Sequence, residues 1–187
     1  MQTATEKQKQ HIADFWQVAS DFYQVSPAKE LLLEMQDRDH FSINRLLFAL
    51  WYSQSFQKLI EIAPLQTSSK DLLKAEQSTA ELRNTRRKFE QNWKKPYLGN
   101  LNMARYHMLE GELSLEKEVQ AILVMALCAD KIVIETTLSA ESLDFLIVEN
   151  IGIICKANTS ISGLTSHNSA IQKLSMLWIQ HQDCYNP

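Results

Sequence analysis

Residues 43–52, which read INRLLFALWY, contain two polar side chains, Asn44 and Arg45. A helix that is apolar around its whole circumference must lie inside the protein. Ser42 is a good helix-capping residue and precedes this segment, whereas Gln36–His40 are all polar. The pattern therefore predicts a buried helix after Ser42 and, before it, a polar corner at the edge of the core.

Two helices are predicted upstream of the corner. Ser26 and Pro27 separate them, because Ser caps a helix and Pro loses no hydrogen bond in a first turn. We expect the first helix to start with a capping box of Thr3 and Glu6 and to end near Val25. Residues at steps of three and four define the buried faces. These are Ile12, Phe15, Trp16, Ala19, Phe22 and Tyr23 in the first helix, and Ala28, Leu31, Leu32 and Met35 in the second.

Long helices are predicted in the middle of the chain. A short helical turn over 56–62 and a break over 64–69 should come first. Alternating three- and four-residue steps then form a coiled-coil-like seam typical of one long helix. Its members are Leu72, Ala75, Thr79, Leu82, Arg86, Phe89 and Trp93. Another helix should start at Leu101. Gly111 or Ser114 could kink or split it, so the sequence does not decide whether this helix is continuous.

The last third predicts a helical pair. Residues 132–134 form the β-branched end of the apolar run that starts at 121, and a short strand is the alternative to helix there. Ser139 should cap the next helix, with Leu138 and Leu143 as a hydrophobic staple. A loop over 157–166 should lead to a last helix that buries Ile171, Leu174 and Trp178.

The whole pattern predicts an all-α protein, a single-domain bundle of about seven or eight helices. We expect an N-terminal half over 1–63, long helices over 69–135 and a C-terminal pair over 139–182. The composition agrees, since the 187 residues include four Gly and four Pro, far fewer than average usage gives. Few turns and long helices follow.

Charge and cysteine content narrow the classes of function. The net charge is −3, which gives no general attraction to nucleic acid or anionic membranes. Three distant cysteines and an N-terminus without an apolar segment predict a cytoplasmic protein. The apolar run 121–129 is too short to span a membrane. Glycine-rich phosphate loops, C-x-x-C and H-E-x-x-H are absent from the sequence, so no cofactor and no metal are predicted.

The first two-thirds of the chain, about residues 11–125, resembles a bacterial family of helical proteins of unknown function. The resemblance is strongest at the corner. One difference is that the family's usual small, glycine-containing turn is replaced here by Asp39-His40-Phe41. The resemblance implies a helical, soluble bacterial protein and brings no activity or catalytic residue. The matching positions are Phe15, Trp16, Tyr23, Leu33, Gln36, Asp37, Asn44, 46–48 and 50–51, with weaker matches at 82–83, 86–87 and 112–123.

The corner and its neighbours supply one candidate site. Polar anchors among aromatic residues are typical of a ligand pocket, although aromatic residues at helical spacing are more often core. Asn44 needs a hydrogen-bond partner if buried, and we expect Gln36 or the corner backbone to provide it. Glu34, Asp37, Asp39 and His40 could ligate a metal, but helix termination explains them better. The pocket candidates are Trp16, Tyr23, Gln36, Asp37, Asn44 and Trp51.

A basic stretch supplies a second candidate site, an interaction patch. It stands out within an acidic chain and could contact an acidic protein, or an RNA if its aromatic residues were free to stack. We expect Phe89 and Trp93 to be buried. His107, Glu110, Glu112 and Glu116 are interpreted as a solvated helix face. The patch candidates are Arg83, Arg86, Arg87, Lys88, Lys94 and Lys95.

Two functions are compatible with these features. The first is a non-enzymatic interaction or regulatory protein that binds a protein partner through the basic stretch, with a homodimer as a further possibility. The second is an all-α enzyme or small-ligand or metal-binding protein with its pocket near Trp16, Asp37, Asn44 and Trp51. A cavity at the corner favours the second function, and a closed core there favours the first.

Overall fold

The computed structural model describes residues 4–93, 95–128, 143–156 and 168–185. Within these ranges there are eight helices and no strand, which confirms the predicted all-α fold. The helices are α1 Glu6–Gln24, α2 Ser26–Asp39, α3 Ile43–Phe56, α4 Ile62–Thr67, α5 Ser69–Asn92, α6 Asn100–Leu127, α7 Leu143–Lys156 and α8 Asn168–Tyr185.

The N-terminus of α1 is fixed by a capping box two residues later than predicted. Thr5 Oγ1 accepts a hydrogen bond from the Gln8 backbone N–H at 3.2 Å, and Gln8 Oε1 accepts one from the Thr5 N–H at 3.0 Å. The prediction of Thr3 and Glu6 was therefore wrong. Gln serves the box as well as Glu does, so two Thr residues in the correct spacing made the sequence ambiguous.

The corner between α2 and α3 is formed by a left-handed residue. His40 has φ 59° and ψ 27°, and its backbone N–H donates to the Met35 carbonyl. This geometry ends α2 and turns the chain towards α3. Every residue from Arg45 to Ser53 is buried, so the prediction of an internal helix is confirmed.

The segment after α3 differs from the prediction. α3 continues to Phe56, and Gln57 ends it in the left-handed region with φ 50°. Pro64 lies in the first turn of α4 rather than in a break, a position where its missing N–H costs nothing. Asn150 of α7 supports the link 57–61: its Oδ1 accepts from the Ile60 N–H at 2.7 Å, and its Nδ2 donates to the Lys58 carbonyl at 3.0 Å.

α5 and α6 form a long helical hairpin. α6 is one continuous helix of 28 residues, so Gly111 and Ser114 do not split it. Gly111 allows close packing, because a Cβ there would lie 2.9 Å from Leu82 Cδ2. The buried residues of α5, which are Leu72, Ala75 and Thr79, all lie in its first half. The far half of the hairpin therefore has little apolar core of its own.

The core surrounds α3. The buried side chains form a continuous cluster that includes residues of all eight described helices. Phe15 packs against Phe48 and Trp51, with ring centroids 5.4 and 5.1 Å apart. In α8, Ile171, Leu174 and Trp178 are buried as predicted.

A buried ion pair connects α3 to the hairpin. Arg45 donates to both carboxylate oxygens of Glu76 in α5, at 2.8 and 2.9 Å, and to the Ile154 carbonyl of α7 at 3.3 Å. Arg45 is 4% exposed. The two hydrogen bonds from one guanidinium to one carboxylate fix distance and orientation together. Arg45 thus sets the position of α5 relative to the core.

Three predictions fall outside the described residues. They are the alternative strand at 132–134, the cap and staple at Ser139 and Leu138, and the loop at 157–166. Among the helices of the described ranges, none combines the length and the apolar character that crossing a bilayer requires.

Replacing Glu76 by Ala should destabilise the protein strongly. The Arg45 charge would remain buried without its carboxylate, which costs about 3 kcal/mol. Urea denaturation followed by far-UV circular dichroism measures the change. Glu81→Ala removes an exposed carboxylate from the same helix and should change the free energy of unfolding by less than about 0.5 kcal/mol. Equal stabilities of the two variants would show that the pair does not hold α5.

Candidate functional site

A cleft of about 720 Å³ lies between the corner and the α5–α6 hairpin. Four parts of the chain line it: α1, the end of α2 with the start of α3, α5 and α6. Its size is in the range of small-molecule pockets. Because the lining comes from helices far apart in sequence, the cleft is a product of the tertiary fold.

Five of the six predicted pocket residues line this cleft. They are Trp16, Tyr23, Gln36, Asp37 and Asn44. The sixth, Trp51, does not, since it is 4% exposed and packs against the Phe15 and Phe48 rings. Trp51 is a core residue because α3 is buried on all sides, so its aromatic ring faces α1 rather than a cavity.

Three of the predicted patch residues line the same cleft. Arg83, Arg86 and Arg87 face it from α5, so the two candidate sites of the sequence share one location. Lys88 and Lys95 are exposed and are not among the lining residues. Lys94 lies outside the described residues. The basic stretch is therefore divided between the cleft and the outer surface.

The α5 arginines pair with carboxylates of α6. Arg83 donates to Glu116 Oε1 at 2.7 Å, and Arg86 donates to both oxygens of Glu112. Glu112 is 6% exposed, so the prediction that it lies on a solvated face was wrong. The sequence contains a signal for these ion pairs. The two arginines, Arg83 and Arg86, are three residues apart, and the two glutamates, Glu112 and Glu116, are four residues apart. Each pair lies on one face of its helix.

Trp93 was also wrongly predicted to be buried. It is 49% exposed and lies at the end of the hairpin, while Phe89 is partly buried and its ring centroid is 5.8 Å from that of Tyr97. The seam periodicity continues to Trp93, but α5 ends at Asn92 and no described helix covers that end.

Asn44 finds its partner in α6 and not in Gln36. Gln120 Nε2 donates a hydrogen bond to Asn44 Oδ1 at 2.9 Å. Gln120 is 4% exposed, and its Oε1 is buried without a hydrogen-bond partner among the described residues. A buried acceptor without a partner is costly in a folded protein. Gln120 is the pocket residue that sequence reasoning missed.

A weaker ion pair crosses the cleft. Arg87 Nη2 of α5 lies 3.6 Å from Asp37 Oδ1 at the end of α2, and both side chains are about half exposed. Exposed pairs of this kind contribute at most about 1 kcal/mol. Arg38 binds Glu34 and Asp39 rather than Asp37. Among the described residues, His, Cys, Asp and Glu form no group suited to a metal.

Burial shifts the pKa of two groups that face each other. Burial raises the pKa of Glu116 above its ordinary 4.5, although the positive charge and hydrogen bond of Arg83 oppose the shift. Burial also raises the pKa of Tyr23, and the nearby charge of Glu116 adds to this effect. Perturbed groups in a cleft are typical of functional sites. The arrangement provides hydrogen-bond donors and acceptors of both charge types beside aromatic rings.

The sequence profile of a family described as "Protein of unknown function (DUF2390)" matches residues 14–123. This segment contains all the residues that line the cleft, which run from Trp16 to Gln120. No curated protein matches the chain, and no solved structure matches it.

Glu116→Gln should change how stability depends on pH. Because the folded pKa is raised, the folded state holds the Glu116 proton more tightly than the unfolded chain does. The stability from Glu116 is complete below pH 4.5 and is lost as the pH rises through the folded pKa. The free energy of unfolding of the variant relative to wild type should therefore rise as the pH is raised above 4.5.

Urea denaturation at a series of pH values measures this difference. Glu118→Gln is the control, because it removes an exposed carboxylate two positions along the same helix. A relative stability of Glu116→Gln that stays constant or falls with rising pH contradicts the raised pKa.

Proposed function

The chain belongs to this family of proteins of unknown function, whose profile covers more than half of it, and we propose that it is a non-enzymatic binding protein. In this proposal the cleft between the corner and the α5–α6 hairpin holds a small polar molecule. Binding of a small ligand at this place was the second of the two functions compatible with the sequence.

One observation carries the proposal. Gln120 lines the cleft of about 720 Å³, and its Oε1 is a buried acceptor without a hydrogen-bond partner among the described residues. Leaving a buried acceptor unpaired costs free energy in a folded protein. A ligand that donates a hydrogen bond to Gln120 offsets the cost. The aromatic residues Trp16 and Tyr23 supply apolar contact area in the same space.

We place this function in a bacterial cytoplasm. Support comes from Cys128 and Cys155, which are both buried free thiols. Burial raises the pKa of each to about 12, so neither is prepared for thiolate chemistry at neutral pH. Free, unreactive thiols suit a reducing compartment.

A bulky residue in the cleft should abolish binding. Ala80 lines the cleft and is exposed, so Ala80→Trp fills the space with little cost to the core. Ala13→Trp is the matched control, an exposed alanine in α1 outside the lining. Thermal-shift screening with a library of polar metabolites should give compounds that stabilise wild type and Ala13→Trp but not Ala80→Trp.

Two outcomes of that screen contradict the proposal. One is that no compound stabilises the wild-type protein. The other is that every stabilising compound acts equally on Ala80→Trp, because such a compound binds elsewhere.

A second function, binding of a protein partner, is favoured by the hairpin end. We define the hairpin end as Trp93, Leu98, Met103 and Tyr106, which are 49%, 76%, 51% and 51% exposed. Clusters of exposed apolar residues are typical of interaction sites. Lys88 and Lys95 of the basic stretch are exposed and close to Trp93 in the sequence, so the hairpin end is compatible with an acidic partner.

Leu98→Asp combined with Met103→Asp should abolish the binding of such a partner. Affinity purification from the native cell, with quantitative mass spectrometry, compares this variant with Leu73→Asp, which alters an exposed leucine in the first half of α5. Loss of a specific protein from the double variant alone is expected, with an unchanged melting temperature. Identical sets of recovered proteins would exclude the hairpin end as the binding surface.

A further inference from the structure

The two amide groups in the cleft have unused hydrogen-bonding capacity. Gln120 Nε2 donates to Asn44 Oδ1, which leaves Gln120 Oε1 as an acceptor and Asn44 Nδ2 as a donor. Gln120 Oε1 has no hydrogen-bond partner among the described residues, and the hydrogen bond between the two amides uses Asn44 Oδ1 and not Asn44 Nδ2. If both amides were rotated by 180°, the roles would be exchanged, and one donor and one acceptor would still remain. The pair therefore offers a donor and an acceptor together in either arrangement.

The charged groups of the cleft are already paired with each other. Each lining carboxylate has an arginine partner, and each lining arginine has a carboxylate partner. The pairs are Glu76 with Arg45, Glu112 with Arg86, Glu116 with Arg83, and Asp37 with Arg87. A charged ligand would have to displace one of these partners and leave a partly buried charge alone. An uncharged ligand meets no such cost.

Aromatic residues complete the cleft. Trp16 and Tyr23 are partly buried and line it from α1. Lys117 Nζ lies over the Trp16 ring, 4.6 Å from its centre, so a ligand would contact the part of the ring that Lys117 leaves uncovered. Flat aromatic surfaces favour flat ligands, because stacking keeps the contact area large.

We propose that the cleft selects an uncharged, planar molecule that carries a hydrogen-bond donor next to an acceptor. Primary aromatic amides, lactams and nucleobases all have such an edge, on which a donor and an acceptor lie side by side. Asn44 and Gln120 bind the edge with their remaining donor and acceptor, and Trp16 and Tyr23 contact the flat body. This inference rests on the proposed function of the cleft and specifies its ligand class.

Three probe compounds test separately whether the ligand needs the donor of the amide edge and whether it must be uncharged. Benzamide has the edge and no charge, N,N-dimethylbenzamide lacks the donor, and benzoate lacks the donor and carries a charge. Titrations of the ¹⁵N-labelled wild-type protein followed by two-dimensional NMR give each dissociation constant. Benzamide should bind about tenfold more tightly than either analogue, the ratio expected from one lost hydrogen bond to a buried group. Uracil, a lactam, should behave like benzamide.

The wild-type spectrum also locates the contact without any mutation. The side-chain NH₂ signals of Asn44 and Gln120 should shift on addition of benzamide, and should shift much less with the same concentration of N,N-dimethylbenzamide. Asn44→Ala, at a partly buried position, should weaken benzamide binding about tenfold. Gln77→Ala, a change of an exposed amide of α5 outside the lining, should weaken it less than about twofold.

The outcomes separate this inference from the proposed function. Equal binding of benzamide and its analogues, or tighter binding of benzoate, overturns the ligand class. If the probes fail but other compounds bind wild type and not Ala80→Trp, the ligand class is wrong and the binding function stands. If no compound binds in the cleft, both are wrong.

Discussion

The largely buried ion pair between Arg45 and Glu76 fixes α5 of the α5–α6 hairpin against the core. α5 packs mainly along α6, and Arg45 connects it to the buried helix α3 and to the α7 backbone. A rigid guanidinium fork bound to a carboxylate fixes orientation as well as distance. With α5 held in this way, Arg83 and Arg86 reach the α6 carboxylates, and the cleft keeps a wall opposite the corner.

The cleft combines charged groups that are paired with one another and an amide oxygen that has no partner among the described residues. Its charges neutralise each other through pairs between helices, whereas the amide oxygen of Gln120 remains unsatisfied among the described residues. Buried ion pairs are weak evidence for stability, because desolvation offsets much of their attraction. Their arrangement around one free donor and one free acceptor is more informative, since it leaves hydrogen bonding as the means of ligand selection.

The sequence predicted features that arise from local pattern and missed those that arise from distant contacts. The buried helix α3 followed from its apolar circumference, and Trp16, Tyr23 and Asn44 followed from aromatic and polar positions near the corner. The role of Gln120 could not be predicted, because its partner Asn44 is 76 residues away in the chain. Glu112 was mistaken for a solvated residue, since a carboxylate on a helix is usually exposed and its partner Arg86 belongs to a different helix.

A crystal structure of the protein soaked with benzamide tests the central claim most directly. Electron density for the ring should lie beside Trp16 or Tyr23, with the amide edge within hydrogen-bond distance of Asn44 and Gln120. The pairs of Arg83 with Glu116 and of Arg86 with Glu112 should remain intact. A cleft closed by its own side chains, or an amide bound to the arginines or glutamates instead, would contradict the account.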